Sequence, residues 1–221
     1  VTAWTAALVR TAAVARYLAA DVGRSQRFLL PVLVHGAVLA VLFGGDPGPP
    51  PGPWAVSALA VYPTAAWFAV VVANAEAPEQ RSVTIATAGG PARVAAATLL
   101  VALAGGLVLA AASVLLPAVL SRYPYPPAVL LLGALAHLAC AAAGTAVGLL
   151  VARPVVTRIG WSFCLGVAVV MATAVQPWLP PAGSAVDALV SGRLPVAEAL
   201  LGVVLAAAAA VLSWSSEIRR A

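Results

Sequence analysis

The chain contains no lysine; all 12 of its basic residues are arginine. A Walker A loop needs its lysine at the β- and γ-phosphates. A protein-kinase fold needs one on its third strand, and Schiff-base chemistry needs a lysine amine. All three are excluded, so any ATP used with this protein is held by another chain. Charge is scarce as well. Charged residues are 9% of the 221, against about 25% in soluble domains. The two cysteines, Cys140 and Cys164, both fall inside apolar runs and form no disulfide framework. There is no paired carboxylate, no Gly-x-Ser-x-Gly turn and no His-Glu-x-x-His helix, so hydrolysis within the membrane has no apparatus here.

What is present is apolar. Hydrophobic residues make up 63% of the chain and the mean hydropathy is +1.03. The class is an all-α integral membrane protein, one domain with several spans over residues 1–221. The net charge of +5 does not indicate a nucleic-acid partner, because the arginines stand in small groups along the apolar runs rather than on one face. They read as topology signals. Arginine without lysine, together with the Ala, Gly and Pro load, is the composition of a high-GC bacterial genome. The inner (plasma) membrane is the expected location.

Residues 1–24 read as a basic amphipathic helix in the membrane interface. At about 100° per residue, Trp4, Leu8, Leu18 and Val22 fall on one side, and Arg10, Arg16, Asp21 and Arg24 on the other. The stretch has no uninterrupted apolar core, so it is not a secretory signal. Six spans are expected over 28–43, 54–73, 94–116, 128–151, 159–175 and 196–214. The first is short against the roughly 20 residues a bilayer needs. The five prolines of Asp46 to Pro53 argue against any helix there. Pro63 should kink the second span, and Pro117 should stop the third. Six spans put both termini on one side. That side carries ten arginines: Arg10, Arg16, Arg24, Arg27, Arg81, Arg93, Arg153, Arg158, Arg219 and Arg220. The other has only Arg122 and Arg193. Both termini are therefore expected in the cytoplasm, and so is the connector between spans two and three. No internal repeat is visible, which disfavours the inverted-repeat transporters.

That connector, residues 76–90, reads as a short helix of its own. Pro78 suits the first helical position and Glu79 the first turn. Gly89 and Gly90 form a C-cap, and Pro91 starts the next helix. Glu79, Arg81, Ser82, Thr84 and Arg93 are polar. Val83 and Ile85 have no reason to face water, and a partner groove would bury them; the plainer alternative is a solvated loop.

His35 and His137 are the only ionisable side chains deep within spans, each about 12–14 Å from its nearer polar end at 1.5 Å per residue. Either they line a polar patch on a translocation path or dimer interface, or they are neutral imidazoles bonded to a neighbouring helix. With Cys140 and Cys164 they have no metal-site spacing, and no metal is expected. Cys140, Gly144 and Gly148 make a small-xxx-small stripe, for packing within one subunit or at a dimer interface.

Taken together, six spans, an amphipathic N-terminal helix and a polar helix between spans two and three resemble the ABC-2-type permeases, the membrane subunits of bacterial ABC exporters. Glu79, Arg81, Thr84–Ile85, Pro91 and Arg93 are similar to that family's connector, which runs from Glu through Arg and Gly-Thr-Leu to Pro and a further Arg. Here Ser82–Val83 stands where Gly-Thr is usual, and Ala95 to Ala97 replace an early basic residue of span three. The resemblance implies two cytoplasmic ABC ATPase subunits carrying ATP and Mg, with no cofactor in this chain. It also implies a second permease copy, as a homodimer or related heterodimer. Glu79, Arg81, Val83, Thr84, Ile85, Pro91 and Arg93 would form the coupling helix. The apolar spans favour a hydrophobic or amphipathic cargo, a small molecule or lipid, and the resemblance implies its efflux. The alternative is a non-transporting membrane scaffold, or a cytochrome c-biogenesis-type assembly subunit that recruits a soluble ATPase.

Overall fold

The structure, a computed structural model, describes residues 3–174 and 176–219, with side chains from Thr5 onward. The first two residues of the expected interfacial helix, the Trp4 side chain, Val175 and Arg220 lie outside the described residues. The described residues form nine α-helices and no strand: α1 Ala3–Ser25, α2 Leu29–Phe43, α3 Gly52–Ala73, α4 Pro78–Ala88, α5 Pro91–Leu120, α6 Pro127–Val151, α7 Ile159–Ala174, α8 Ala182–Val190 and α9 Val196–Ile218. Proline stands in the first turn of α3, α4, α5 and α6, where its missing N–H would have no helical partner anyway.

Four helices, α3, α5, α6 and α9, are long and apolar enough to cross a membrane, as expected of a multi-pass protein. The α1–α2 pair makes a fifth if its 74° bend is counted as a broken span, while α7 is apolar but shorter. Two local expectations are corrected. Pro117 does not stop α5, which runs on to Leu120. In the last turn a proline forfeits a single bond to the carbonyl four residues back, and its own carbonyl still accepts from the Ser121 N–H at 2.9 Å. Gly52 and Pro53, in the segment expected to be non-helical, already belong to α3. On α1, Leu18 and Val22 of the expected apolar face are buried together with Val14, Leu8 is 68% exposed, and packing against Ala88, Val94 and Ala97 starts at Val14.

Small residues set the core. Gly144 sits against the Tyr62 carbonyl and Ala65, and Gly148 against the Ala66 carbonyl and Ala69. Backbones approach that closely only where no Cβ intervenes. Trp54 lies in the matching space over Gly133, so α3 and α6 run parallel. Helix α9 also runs parallel to α6: Gly202 meets Ala139 and Ala142, and Ala206 and Ala209 cluster with Ala146 and Leu149. Parallel neighbours oblige the intervening chain to return the length of the bundle. Phe43, Trp54, Tyr125, Ala182 and Leu189 meet in one cluster, which places α8 at the end opposite α4.

Candidate functional site

The connector helix α4 begins at Pro78, with Glu79 in its first turn. It ends where Gly89 enters the left-handed region at φ +78°. The Gly90 N–H donates to the Ile85 carbonyl at 2.9 Å, and the Gly89 N–H to the Ala86 carbonyl at 3.2 Å. These are the two bonds of a Schellman cap. Arg93 closes the same end, donating to the Ala88 carbonyl at 2.8 Å and the Gly89 carbonyl at 2.5 Å.

Three side chains brace α4. Arg81 Nε donates to Glu217 Oε1 at 2.8 Å and its Nη2 to Oε2 at 2.7 Å, a two-pronged pair joining α4 to the last turn of α9. Thr84 is buried and donates to Glu76, itself buried at 4% exposure. Gln80 donates to the Tyr17 hydroxyl on α1. Ile85 is half-buried against the Val14–Leu18 cluster. Glu79 and Val83 remain exposed, Val83 at 63%. Beside Val83 a groove of about 540 Å³ runs between α4 and α1, with Arg10, Tyr17, Gln80 and Thr87 on its walls. Of the seven connector residues singled out in the sequence, Arg81, Thr84 and Arg93 are tied into the fold, Ile85 packs, and Pro91 opens α5.

The histidines are both buried and bonded. His137 Nδ1 lies 2.7 Å from the Gly133 carbonyl. A carbonyl only accepts, so Nδ1 carries the proton, and Nε2 accepts from the Ser57 hydroxyl at 2.9 Å. Ser113 donates to the Leu109 carbonyl at 3.0 Å, so His35 Nε2 donates to the Ser113 oxygen at 2.9 Å. Thr64 Oγ1 stands 3.3 Å from His35 Nδ1. The two imidazoles thus stitch α2 to α3 and α5, and α6 to α3. Cys140 is buried on the α6 face and Cys164 is exposed. Among the described residues no three His, Cys, Asp or Glu side chains gather as metal ligands.

An apolar groove of about 540 Å³ lies between α3 and α7, walled by Pro63, Trp67, Val70, Phe163 and Met171, with no charged side chain on it. The Tyr62 hydroxyl and Thr173 Oγ1, 2.7 Å apart, pin α7 across the bundle. The sequence reading missed Glu76 and Glu217. Each stands in a short polar stretch with no periodic signal, and only the fold brings Glu217 to Arg81. Comparison with known protein families, with curated proteins and with solved structures finds no match to this chain.

Proposed function

We propose that the chain is the membrane-embedded permease subunit of an ATP-driven transporter of the ABC-2 type. The observation that carries this is α4: a short polar helix between two apolar helices, fixed at both ends and braced from three directions, that leaves one large hydrophobic side chain, Val83, exposed beside a groove. A bundle does not need Val83 in water, and a docking subunit would cover it. Glu79, in the exposed first turn, would meet the partner too. Arg81, Thr84, Ile85, Pro91 and Arg93 would carry the partner's motion into α9, α1 and α5.

In this reading the spans number six. Helices α6 and α9 run parallel, so α7 with its 16 residues returns the chain across the membrane, and the bent α1–α2 pair supplies an interfacial helix and a span. The end bearing α1, α4 and Glu217 faces the cytoplasm, where ten of the twelve arginines lie, and the membrane is a bacterial inner membrane. Two ABC ATPase subunits would bind ATP and Mg against α4, and a second permease copy would complete the assembly. The uncharged groove between α3 and α7 favours a hydrophobic or amphipathic cargo, and the resemblance to exporters suggests outward movement.

The test uses the full chain purified from native membranes. A nucleotide-hydrolysing subunit should co-purify, and Val83→Asp should release it and abolish cargo-stimulated ATP hydrolysis, while Val83→Ala should not. Val83 is the right probe because Ile85 also packs on α1, so its substitution would confound docking with folding. Retention of the ATPase by Val83→Asp, or co-purification with no such subunit at all, would remove the reading.

A further inference from the structure

A second groove, of about 510 Å³, lies on the other flank of α1, where α1 crosses α3 and α5. Its walls are Ala19 on α1, Phe68 on α3, and Ala104 and Val108 on α5. Its depth comes from missing side-chain volume: the Phe68 ring occupies the place where a Cβ on Gly105 would stand. Arg16, at one end, is the only polar side chain on the walls. From Leu100 to Val108 the α5 wall runs eight residues, about 12 Å at 1.5 Å per residue. That length approaches one leaflet's share of a hydrocarbon core about 30 Å thick.

The only charge on the groove's walls is positive, Arg16, and arginine outnumbers acid along α1 and the bend that follows it. Arg10, Arg16, Arg24 and Arg27 are all exposed, and Asp21 is the single acidic residue before Asp46. Arg16 makes no ion pair among the described residues. A slot that is apolar along its length and cationic at its mouth complements an amphiphile with an acidic head. A peptide would bring backbone polar groups that these walls cannot satisfy.

We propose that this groove is a binding site for an anionic phospholipid. One acyl chain lies between α1 and α5 over Phe68, and the headgroup phosphate meets the Arg16 guanidinium. The site rests on the placement of α1 at the membrane surface and is independent of any partner at Val83.

The test is lipid retention by the full chain, reconstituted in nanodiscs of equal phosphatidylglycerol and phosphatidylcholine, then extracted in mild detergent and weighed by native mass spectrometry. Phosphatidylglycerol should be retained in excess. Arg16→Gln should lower that excess roughly fivefold, the scale of one basic side chain at an anionic surface, and Arg16→Lys should keep it. Ala104→Leu, at an exposed position, fills the slot and should lower retention of bound lipid with Arg16 intact. Equal retention of both lipids, or an excess unmoved by Arg16→Gln or by Ala104→Leu, would overturn the site. Loss of this selectivity would leave ATPase capture through Val83 unchanged, so the two ideas fail separately.

Discussion

Arg81 grips both carboxylate oxygens of Glu217 across 136 residues of sequence, with the side chains only 11% and 15% exposed. The pair fastens the connector helix to the last turn of α9, so a force on α4 reaches α9 directly. Removing one partner leaves the other charge largely out of water, a cost of about 3 kcal/mol for a buried pair. Arg81→Ala and Glu217→Ala should each lower the thermal stability of the detergent-solubilised protein. The exchange Arg81→Glu with Glu217→Arg should recover more than half of the loss. Equal damage in the single and exchanged proteins would mean that the pair is incidental.

The contact of α6 with α3 is set by two missing methyl groups. A Cβ on Gly144 would strike the Tyr62 carbonyl, and one on Gly148 the Ala66 carbonyl. Both obstacles are backbone and cannot rotate aside. Gly144→Ala and Gly148→Ala should each cost about 1–3 kcal/mol, the range for overpacking. Gly36, exposed in the middle of α2, has nothing within 4 Å of its would-be Cβ. There alanine should be neutral or stabilise by up to about 1 kcal/mol, its advantage in helix propensity. Thermal unfolding of the three variants side by side separates packing from propensity.

Local chemistry was legible before any coordinates. Pro78, Glu79, Gly89–Gly90 and Pro91 mark the connector helix because caps and proline act within a few residues, and the observed ends agree. The apolar runs behind α3, α6 and α9 were equally plain. Long-range partners were not. Nothing in the letters ties Arg81 to Glu217 or Thr84 to Glu76, so the partners that these two coupling-helix residues find within the fold could not be read in advance. The choice for Cys140, Gly144 and Gly148 between a subunit interior and a dimer seam needed the neighbour itself, which is α3. The last turn of α5 was misjudged by treating Pro117 as an absolute stop.

At the end away from α4, Asp46 accepts a hydrogen bond from the Tyr123 hydroxyl at 2.8 Å and another from the Gly48 N–H at 3.2 Å, and it pairs with Arg122. These contacts, Tyr123 first, hold its carboxyl below the ordinary 3.8. A depressed folded-state value means the stabilisation is fully present above the unfolded value and disappears as pH falls through the folded one. The loop anchor should therefore weaken only below about pH 4, the ordinary carboxylate range. The effect should be small, because the group is exposed and its charges are screened. Hydrogen exchange of the Asp46–Pro53 loop, expressed as protection relative to the intrinsic rate at each pH, should show protection falling on acidification in the native chain. In Asp46→Asn that protection should be already low and unchanged by pH over the same range.

His137 and Ser57 bridge α6 and α3 in a place that water does not reach. With the proton fixed on Nδ1 by Gly133, Nε2 depends on the Ser57 hydroxyl, so the two residues are worth more together than apart. Ser57→Ala alone strands a buried acceptor, and the loss should be about 1 kcal/mol, the scale of interhelical hydrogen bonds in membranes. His137→Leu in the same chain removes the stranded nitrogen at similar volume, and the double variant should regain much of that loss. A translocation role predicts otherwise: the double variant would be as stable as the single and would lose cargo movement. Measuring unfolding and transport on the same three proteins decides whether the buried imidazole is a fastener between helices or a station on the path.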